Sequence, residues 1–363
     1  MNIAFYLDEM NFRGVANSTF LFALNNKKIL KNNSYIFYNK NNQSNKKEVI
    51  RKFKKEFNSF GIKNFEDIDK YKKKLNLKYL YVQKGGEKDS WVSKNIKTIV
   101  HCMYPQKLSE IHGYNYSYIS EWLSKNFSDK KIPYVPLIVN PINSKGNLKK
   151  KFGIKKESIV LGCHGGESSF DLQFVKDCII DICKKRKDLF FLFLNIKKFS
   201  NHPRIKFIKG TIDERFKNKF LNTCDYMIYG RSLGESFGLA CAEFGIQNKT
   251  IISYKFNKHQ SHKYNIDKKK FIEYSCYENL AKILMKIKLF KKRKINSKIY
   301  NKFNSKVVMK NFKKKFFYKK KITFSLINFL SNYLSHYLMN YQYLRHKIYN
   351  HYYNYIGSKL KKF

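Results

Sequence analysis

Short apolar runs alternate with helical stretches along the first half of the chain. The apolar runs are NIAFYL, SYIFYN, YLYVQ, KTIVHCMY and PYVPLIV, and helical patterns follow Gly14 and surround YISEWLSKNF. Short apolar strands separated by helices are typical of a parallel sheet that is covered on both faces. This half therefore predicts a doubly wound α/β domain.

The second half repeats the same pattern. Its apolar runs are SIVLGCH, LFFLFLNI, IKFIKG, DYMIYG and TIISY, and we predict helices from about Ser169 to Cys183, over DERFKNKFLN and over FGLACAEFG. The run PINSKGNLKKKFG at 141–153 combines Pro, Gly, Asn and charge, which favours a linker. We therefore predict domains over 1–145 and 146–321 and a tail over 322–363. In such sheets ligands bind beyond the carboxyl ends of the strands.

Length and composition are compatible with two domains. A chain of 363 residues with 43% hydrophobic residues can form two buried cores.

Lys and Arg exceed Asp and Glu by 74 − 26 = 48, a surplus that attracts nucleic acid, anionic lipid or phosphorylated substrates. The start lacks a signal-peptide pattern and no apolar run is long enough to span a membrane, so we expect a cytoplasmic protein. The seven scattered cysteines indicate neither disulfides nor a zinc site.

The segment GRSLGESFGLACAEFG, 230–245, follows an apolar run and enters a helix, and it is the densest candidate for chemistry. Its glycines let the backbone approach a ligand, and N–H groups at a helix start suit phosphate oxygens. Arg231 adds a guanidinium fork for a pyrophosphate. Glu235 and Glu243 can both face one crevice and accept hydrogen bonds from sugar or ribose hydroxyls. The alternative is that Glu235 caps the helix and Glu243 is a solvated acid.

This segment resembles the retaining group 1 glycosyltransferases of the GT-B fold. Their hallmark is a Glu, seven intervening residues and a second Glu, with Phe-Gly between them, and Glu235, Phe237, Gly238 and Glu243 fit it. The N-T-C-D run before Arg231, YVPLIV, HGYNYSYISEWL and the FRG near the start extend the resemblance over roughly residues 1 to 315. It implies two Rossmann-like domains facing each other across a cleft. It also implies transfer of a sugar from a nucleoside diphosphate sugar to an unknown acceptor, with retained configuration and without metal or cofactor.

The resemblance assigns roles to individual residues. Glu235 becomes the contact to the donor sugar, Glu243 the contact to the nucleotide ribose, and Arg231 a ligand of the diphosphate. His101, at the end of KTIVHCMY, becomes a further contact to the donor sugar, with a core or rim histidine as the alternative. The other substrate-binding positions that we expect are Gly234, Ser236, Phe237, Gly238, Gly165, Gly166, His164, Arg13 and Gly14.

The segment LGCHGGESSF, 161–170, predicts a second phosphate cradle. It has a strand, a glycine pair and a helix N-cap at Ser168 or Ser169. Similar enzymes carry a basic residue just after the first Gly, where this chain has Cys163. Either His164 substitutes for it, or diphosphate binding rests on Arg231 and backbone amides.

Three alternatives to this assignment need attention. Asp67 and Asp69 match the Asp-x-Asp pair with which another glycosyltransferase class binds a metal, but NFEDIDKYKKK is polar on both sides and predicts the first turn of a helix. A catalytically degenerate nucleotide-sugar binder is a second alternative. A nucleic-acid-binding protein driven by charge is the third, although the sequence shows no nucleic-acid-binding motif.

The C-terminal part is basic and has a periodic apolar pattern. No Asp or Glu follows Glu278, whereas Lys and Arg recur in KKRK and KNFKKKFFYKKK, and VVMKNFKKKFF predicts a closing helix that returns to the first domain. A seam with helical spacing follows, formed by Ile327, Leu330, Leu334, Tyr337, Tyr341, Leu344 and Ile348. The seam predicts docking on an anionic membrane surface or on a partner helix. The alternative is packing on the body of the protein.

Overall fold

The computed structural model describes residues 1–140, 145–289, 295–318 and 322–360, with side chains as far as Tyr355. The chain forms two compact units. The first comprises Met1–Asn140 and Asn301–His336, and the second comprises Pro141–Tyr300 and Tyr337–Phe363. The first division therefore falls close to the predicted boundary at 145. The helix predicted to return to the first domain belongs to the first unit.

The first unit is built on a six-stranded parallel sheet of order β3-β2-β1-β4-β5-β6. Its strands are β1 Asn2–Leu7, β2 Asn33–Asn39, β3 Asn58–Ile62, β4 Leu77–Lys84, β5 Lys97–Cys102 and β6 Asn115–Tyr118, and its early helices are α1 Gly14–Lys28, α2 Lys47–Glu56 and α3 Glu121–Ser128. Residues on both faces of β1 are completely buried, as its continuous apolar run requires. The strand order reverses between β1 and β4, which is where a doubly wound sheet opens a crevice.

The second unit has its own six-stranded parallel sheet, of order β14-β12-β10-β7-β8-β9. The strands of this sheet are β7 Ile159–His164, β8 Leu189–Leu194, β9 Ile205–Ile208, β10 Tyr226–Tyr229, β12 Thr250–Tyr254 and β14 Phe271–Tyr274. A separate two-stranded sheet pairs β11 Gly234–Glu235 with β13 His259–Gln260. The helices are α4 Gln173–Lys185, α5 Glu214–Thr223, α6 Leu239–Ile246, α7 Ser261–Tyr264 and α8 Tyr277–Lys286. The order reverses between β7 and β10, so the segments that follow these two strands border the predicted ligand crevice.

Helix α4 starts later than the sequence predicts. Its N-cap is Leu172, so the prediction of an N-cap at Ser168 or Ser169 is wrong. The amide and hydroxyl of Ser169 instead both donate to the carbonyl of Gly166, at 2.8 and 2.7 Å, which closes a turn ahead of the helix. The amide of Leu172 donates to the carbonyl of Gly230. The chain thus crosses the end of β10 before α4 begins.

The Asp67-Asp69 segment forms a short 3-10 helix, Phe65–Tyr71, as its local context predicts. Asp67 forms a capping box with Asn64 and an ion pair of 2.6 Å with Lys70. Its carboxylate therefore stabilises the helix start. Across the described residues, no group of three or more His, Cys, Asp and Glu side chains is placed to hold a metal ion.

The C-terminal part contains α9 Ser297–Phe303, α10 Ser305–Phe316 and α11 Leu326–Leu360. In the first unit, α10 buries Phe312 and Phe316 completely. The side chain of Asn115 donates to the carbonyl of Phe316 at 2.8 Å, which fixes the end of α10 beside β6. Among the helices in the described ranges, none combines the length and the apolar character that crossing a membrane would require.

Candidate functional site

The loop between β10 and α6 depends on two glycines. Gly234 has φ of +67°, and a Cβ there would lie 2.0 Å from the carbonyl oxygen of His259 on the paired strand β13. Gly238 has φ of +83° and is the N-cap of α6, and a Cβ there would lie 2.5 Å from the Cβ of His262. Only glycine fits both the backbone angle and the space at these positions. The two glycines place Glu235 between them and set the direction of α6.

Glu235 forms a polar cluster at the end of β10. Its Oε1 accepts from Nη1 of Arg231 at 2.9 Å and from the hydroxyl of Tyr229 at 2.8 Å. The side chains of Arg231 and Glu235 are 27% and 24% exposed, so a ligand can reach both. No side chain caps α6, and the interpretation of Glu235 as a helix cap is therefore wrong. The side-chain amide of Asn257 donates to the carbonyl of Arg231 at 2.6 Å and holds the loop.

Glu243 forms a second cluster, and it is buried. Its Oε1 lies 2.5 Å from Nζ of Lys217 on α5, and its Oε2 lies 2.8 Å from Nε2 of His164 at the end of β7. Burial alone would raise the pKa of Glu243, but Lys217 and His164 outweigh it and lower the pKa to about 2. The interpretation of Glu243 as a solvated acid is therefore wrong. The carboxylate is ionised at neutral pH and locked in one orientation.

Sequence reasoning missed Lys217. Its local sequence, DERFKNKFLN, contains three basic residues, and nothing distinguishes this one from its neighbours. The lysine becomes special only because α5 packs beside the strands whose ends carry the site. Its pKa is raised despite burial, chiefly by the charge of Glu243.

His164 and Cys163 give no basic replacement at the position where similar enzymes carry one. The His164 ring stacks on Phe244, with the planes 21° apart, and its Nε2 faces Glu243. Cys163 is 2% exposed, and burial raises the pKa of its thiol. In this structure His164 therefore acts on Glu243, and it is not directed at a diphosphate of its own.

The glycine pair after β7 does not lie at a helix start. The amide of Gly165 donates to the carbonyl of Leu194 at 3.3 Å, and its carbonyl accepts from the side chain of Asn195 at 2.7 Å. A Cβ added to the neighbouring Gly166 would have no other atom within 4 Å, so the backbone there is open to a ligand. The predicted cradle at an α4 N-terminus is wrong, because α4 begins at Gln173.

The formal charges of the two clusters cancel. Arg231 and Lys217 are each paired with a carboxylate, Glu235 and Glu243 respectively. These four side chains thus carry no net formal charge, and the start of α6 adds the positive end of its helix dipole. The neighbouring Phe237 contributes packing, since its ring is 2% exposed.

The first unit holds three of the predicted substrate contacts. His101 is completely buried, with Nδ1 2.6 Å from the hydroxyl of Tyr81 and Nε2 2.7 Å from the carbonyl oxygen of Val135. Burial lowers the pKa of His101 to about 4. The prediction that His101 contacts the donor sugar is wrong, and the alternative of a core histidine is right, because the ring is completely buried inside the first unit. Arg13 and Gly14 are exposed at the start of α1, where the sequence placed them.

Comparison with known proteins relates the chain to others by fold. No protein-family model matches the sequence, and no curated protein matches it. Among solved structures, a glycosyltransferase from Rickettsia africae ESF-5 has a TM-score of 0.59 and 14% identity, with 94% of this chain and 98% of that chain covered. Anabaena HepE in complex with UDP-glucose has a TM-score of 0.59 and 10% identity, covering 94% and 99%.

A further solved structure of similar fold has a different activity. A putative UDP-N-acetylglucosamine 2-epimerase from Listeria monocytogenes has a TM-score of 0.54 and 10% identity, with 89% of this chain and 99% of that chain covered. Identities this low show the fold and leave the reaction to be argued from the site. With its two six-stranded parallel sheets and their helices, this chain has the GT-B fold.

Proposed function

We propose that the protein is a glycosyltransferase that transfers a sugar from a nucleoside diphosphate sugar to an acceptor, with retention of configuration. One observation carries the proposal. Two carboxylates, Glu235 and Glu243, are each held by cations beside the ends of the neighbouring strands β10 and β7. This is the crevice where a doubly wound sheet binds its ligand, and the Glu pair there matches the motif of the retaining family.

Each side chain then has a distinct part. The Glu243 carboxylate has more lone pairs than the two that face Lys217 and His164. With the remaining lone pairs it accepts hydrogen bonds from two ribose hydroxyls. Glu235, more exposed, accepts from a hydroxyl of the donor sugar. Arg231 stabilises the charge that develops on the departing diphosphate, together with the N–H groups at the start of α6.

The mechanism needs no protein nucleophile and no metal. In enzymes of this kind the leaving diphosphate takes the proton of the acceptor hydroxyl, so catalysis rests on holding the acceptor on the same face of the donor sugar as the leaving group. We expect turnover to be unchanged by excess EDTA. A loss of activity that manganese or magnesium restores would contradict this part of the proposal.

A degenerate nucleotide-sugar binder is the second candidate, and a specific observation favours it. Cys163 stands where similar enzymes carry a basic residue. In addition, the formal charges of Arg231 and Lys217 are cancelled by those of Glu235 and Glu243. Diphosphate affinity without turnover would identify this candidate. Binding that falls steeply with salt and extends to nucleic acid would instead favour a charge-driven nucleic-acid binder.

The first experiment is a thermal-stabilisation screen with a panel of nucleotide-sugars and the matching free nucleotides. A ligand that binds only the folded protein raises its stability according to its affinity. The ligand found in this way is then titrated into Glu243→Ala, Glu235→Ala and the control Glu157→Ala, which changes an exposed acid of the same unit.

The two variants should separate nucleotide from sugar. Glu243→Ala should weaken the donor and the free nucleotide alike, because both contain the ribose. Glu235→Ala should weaken the intact donor alone, and Glu157→Ala neither. Equal losses for nucleotide and donor in both site variants would refute the assignment of the two glutamates.

A further inference from the structure

Helix α11 presents an apolar and aromatic face to solvent. We define its outer stripe by Leu330, Leu334, Tyr337, Tyr341, Leu344 and Ile348, which are between 50 and 62% exposed. At 100° per residue these positions share one side of the helix. The predicted apolar seam is therefore a surface feature, and the alternative that it packs on the body of the protein is wrong.

The opposite side of α11 is bound to the protein by hydrogen bonds and by aromatic packing. In the first unit, Asn332 is 5% exposed, and its side-chain amide donates to the carbonyls of Gln106 and Phe127 at 2.9 and 2.8 Å. In the second unit, His346 is 5% exposed and lies 3.2 Å from the hydroxyl of Tyr254. An amphipathic helix ordinarily buries its apolar side. Here the inner side is held by these hydrogen bonds and by aromatic packing against the core of the second unit, which leaves the outer apolar side for another partner.

The charged side chains of α11 itself are all basic. Arg345 and Lys347 are exposed and, by helical geometry, lie on opposite sides of Leu344 and Ile348. No Asp or Glu occurs anywhere in the sequence after Glu278. A second copy of the helix would therefore bring like charges together with no acid to pair with them. An anionic surface complements both the charge and the apolar stripe.

We propose that the outer stripe of α11 docks on the surface of an anionic lipid bilayer. The helix lies in the plane of the interface, with Leu344 and Ile348 among the acyl chains. The rings of Tyr337 and Tyr341 sit at the headgroup level, where tyrosine combines an apolar ring with a hydrated hydroxyl. Basic side chains beside the stripe bind the lipid phosphates.

The test uses the full chain and vesicle flotation with phosphatidylcholine alone or mixed with phosphatidylglycerol. The stripe variant is Tyr337→Ser, Tyr341→Ser and Ile348→Ser together. The matched control also changes three exposed apolar residues, Tyr264→Ser, Met285→Ser and Val307→Ser, which are 44 to 48% exposed and lie outside α11.

Wild type and control should float with the acidic vesicles and much less with neutral ones. Loss of apolar burial should lower the partition coefficient of the stripe variant by at least about tenfold. Arg345→Gln with Lys347→Gln should lower it roughly fivefold for each charge removed. Binding of nucleotide-sugar should be unchanged in all these variants, so failure here is distinguishable from failure of the proposed enzymatic function.

Other outcomes would overturn the proposal. If the stripe variant floats as well as wild type, general basicity alone causes binding. If wild type does not float with acidic vesicles, the stripe has no lipid partner. If light scattering shows a wild-type dimer that the stripe variant abolishes, the stripe binds a second copy of the chain.

Discussion

Replacing Lys217 by methionine tests whether the Glu243 cluster is a locked, ionised element of the site. The Lys217 ammonium lies 2.5 Å from Oε1 of Glu243, and the Glu243 side chain is only 10% exposed. Methionine keeps most of the volume of lysine and removes its charge. The variant thus leaves a buried carboxylate with His164 as its remaining partner.

The expected cost follows from the burial. Removing one partner of a buried ion pair costs about 3 to 5 kcal/mol, because the other charge is left uncompensated. His164 still contacts Glu243, so we expect a value near the lower end, about 3 kcal/mol, or a factor of roughly 150 in the opening equilibrium. Glu243→Gln added to Lys217→Met should recover a large part of the loss, as coupled residues do in a double-mutant cycle.

The dependence on pH has a definite sign. The pKa of Glu243 is lowered from its ordinary 4.5 to about 2, so its ionised form stabilises the protein above pH 4.5, and this contribution is lost as pH falls toward 2. Without Lys217 the pKa of Glu243 rises, because burial is then less opposed. The deficit of Lys217→Met should therefore be largest near neutral pH and shrink on acidification.

Hydrogen–deuterium exchange of peptides that cover β7, β10 and α6 is the suitable assay. The two tryptophans of the chain, Trp91 and Trp122, both lie in the first unit. Lys217 and Glu243 lie in the second unit. Tryptophan fluorescence therefore reports on the first unit and serves as an internal control. A change in protection below about tenfold, a deficit independent of pH, or additive effects in the double variant would refute the reasoning.

Three further outcomes are expected. Gly238→Ala should destabilise the second unit by about 1 to 3 kcal/mol in urea denaturation followed by circular dichroism, because φ is +83° and the new Cβ meets that of His262. His101→Phe should lower the stability of the first unit by about 1 to 3 kcal/mol, because it removes the hydrogen bond with Tyr81. The affinity for nucleotide, measured by calorimetry, should be unchanged. Cys276 alone should react quickly with a thiol reagent in the native protein, since the other six cysteines are buried.

The sequence by itself determined the architecture and the position of the candidate Gly-rich segment within it. Alternation of apolar runs with helical stretches is a local property, and every run except PYVPLIV became a strand of one of two parallel sheets. The prediction of a strand at PYVPLIV is wrong, because within the described residues this run pairs only through an isolated bridge between Tyr134 and Tyr118. The Gly-rich segment that contains Glu235 follows the run that became β10, as predicted. Its glycines indicated a tight loop from the sequence alone, because a positive φ, as at Gly234 and Gly238, favours glycine whatever residues surround it. The exposed side of α11 was likewise visible as a helical seam.

Tertiary structure alone decided which side chains meet. Lys217 joins Glu243 across 26 positions of sequence, and His101 turns inward onto Tyr81 and Val135. The side chain of Ser169 donates a hydrogen bond that closes a turn, so it does not cap a helix, and α4 begins later than the sequence predicts. These outcomes depend on how elements distant in sequence pack, and periodicity contains no information about that. The same reason explains the tail: periodicity located its apolar seam, but only the hydrogen bonds and the aromatic packing of the opposite face decided that the seam remains exposed.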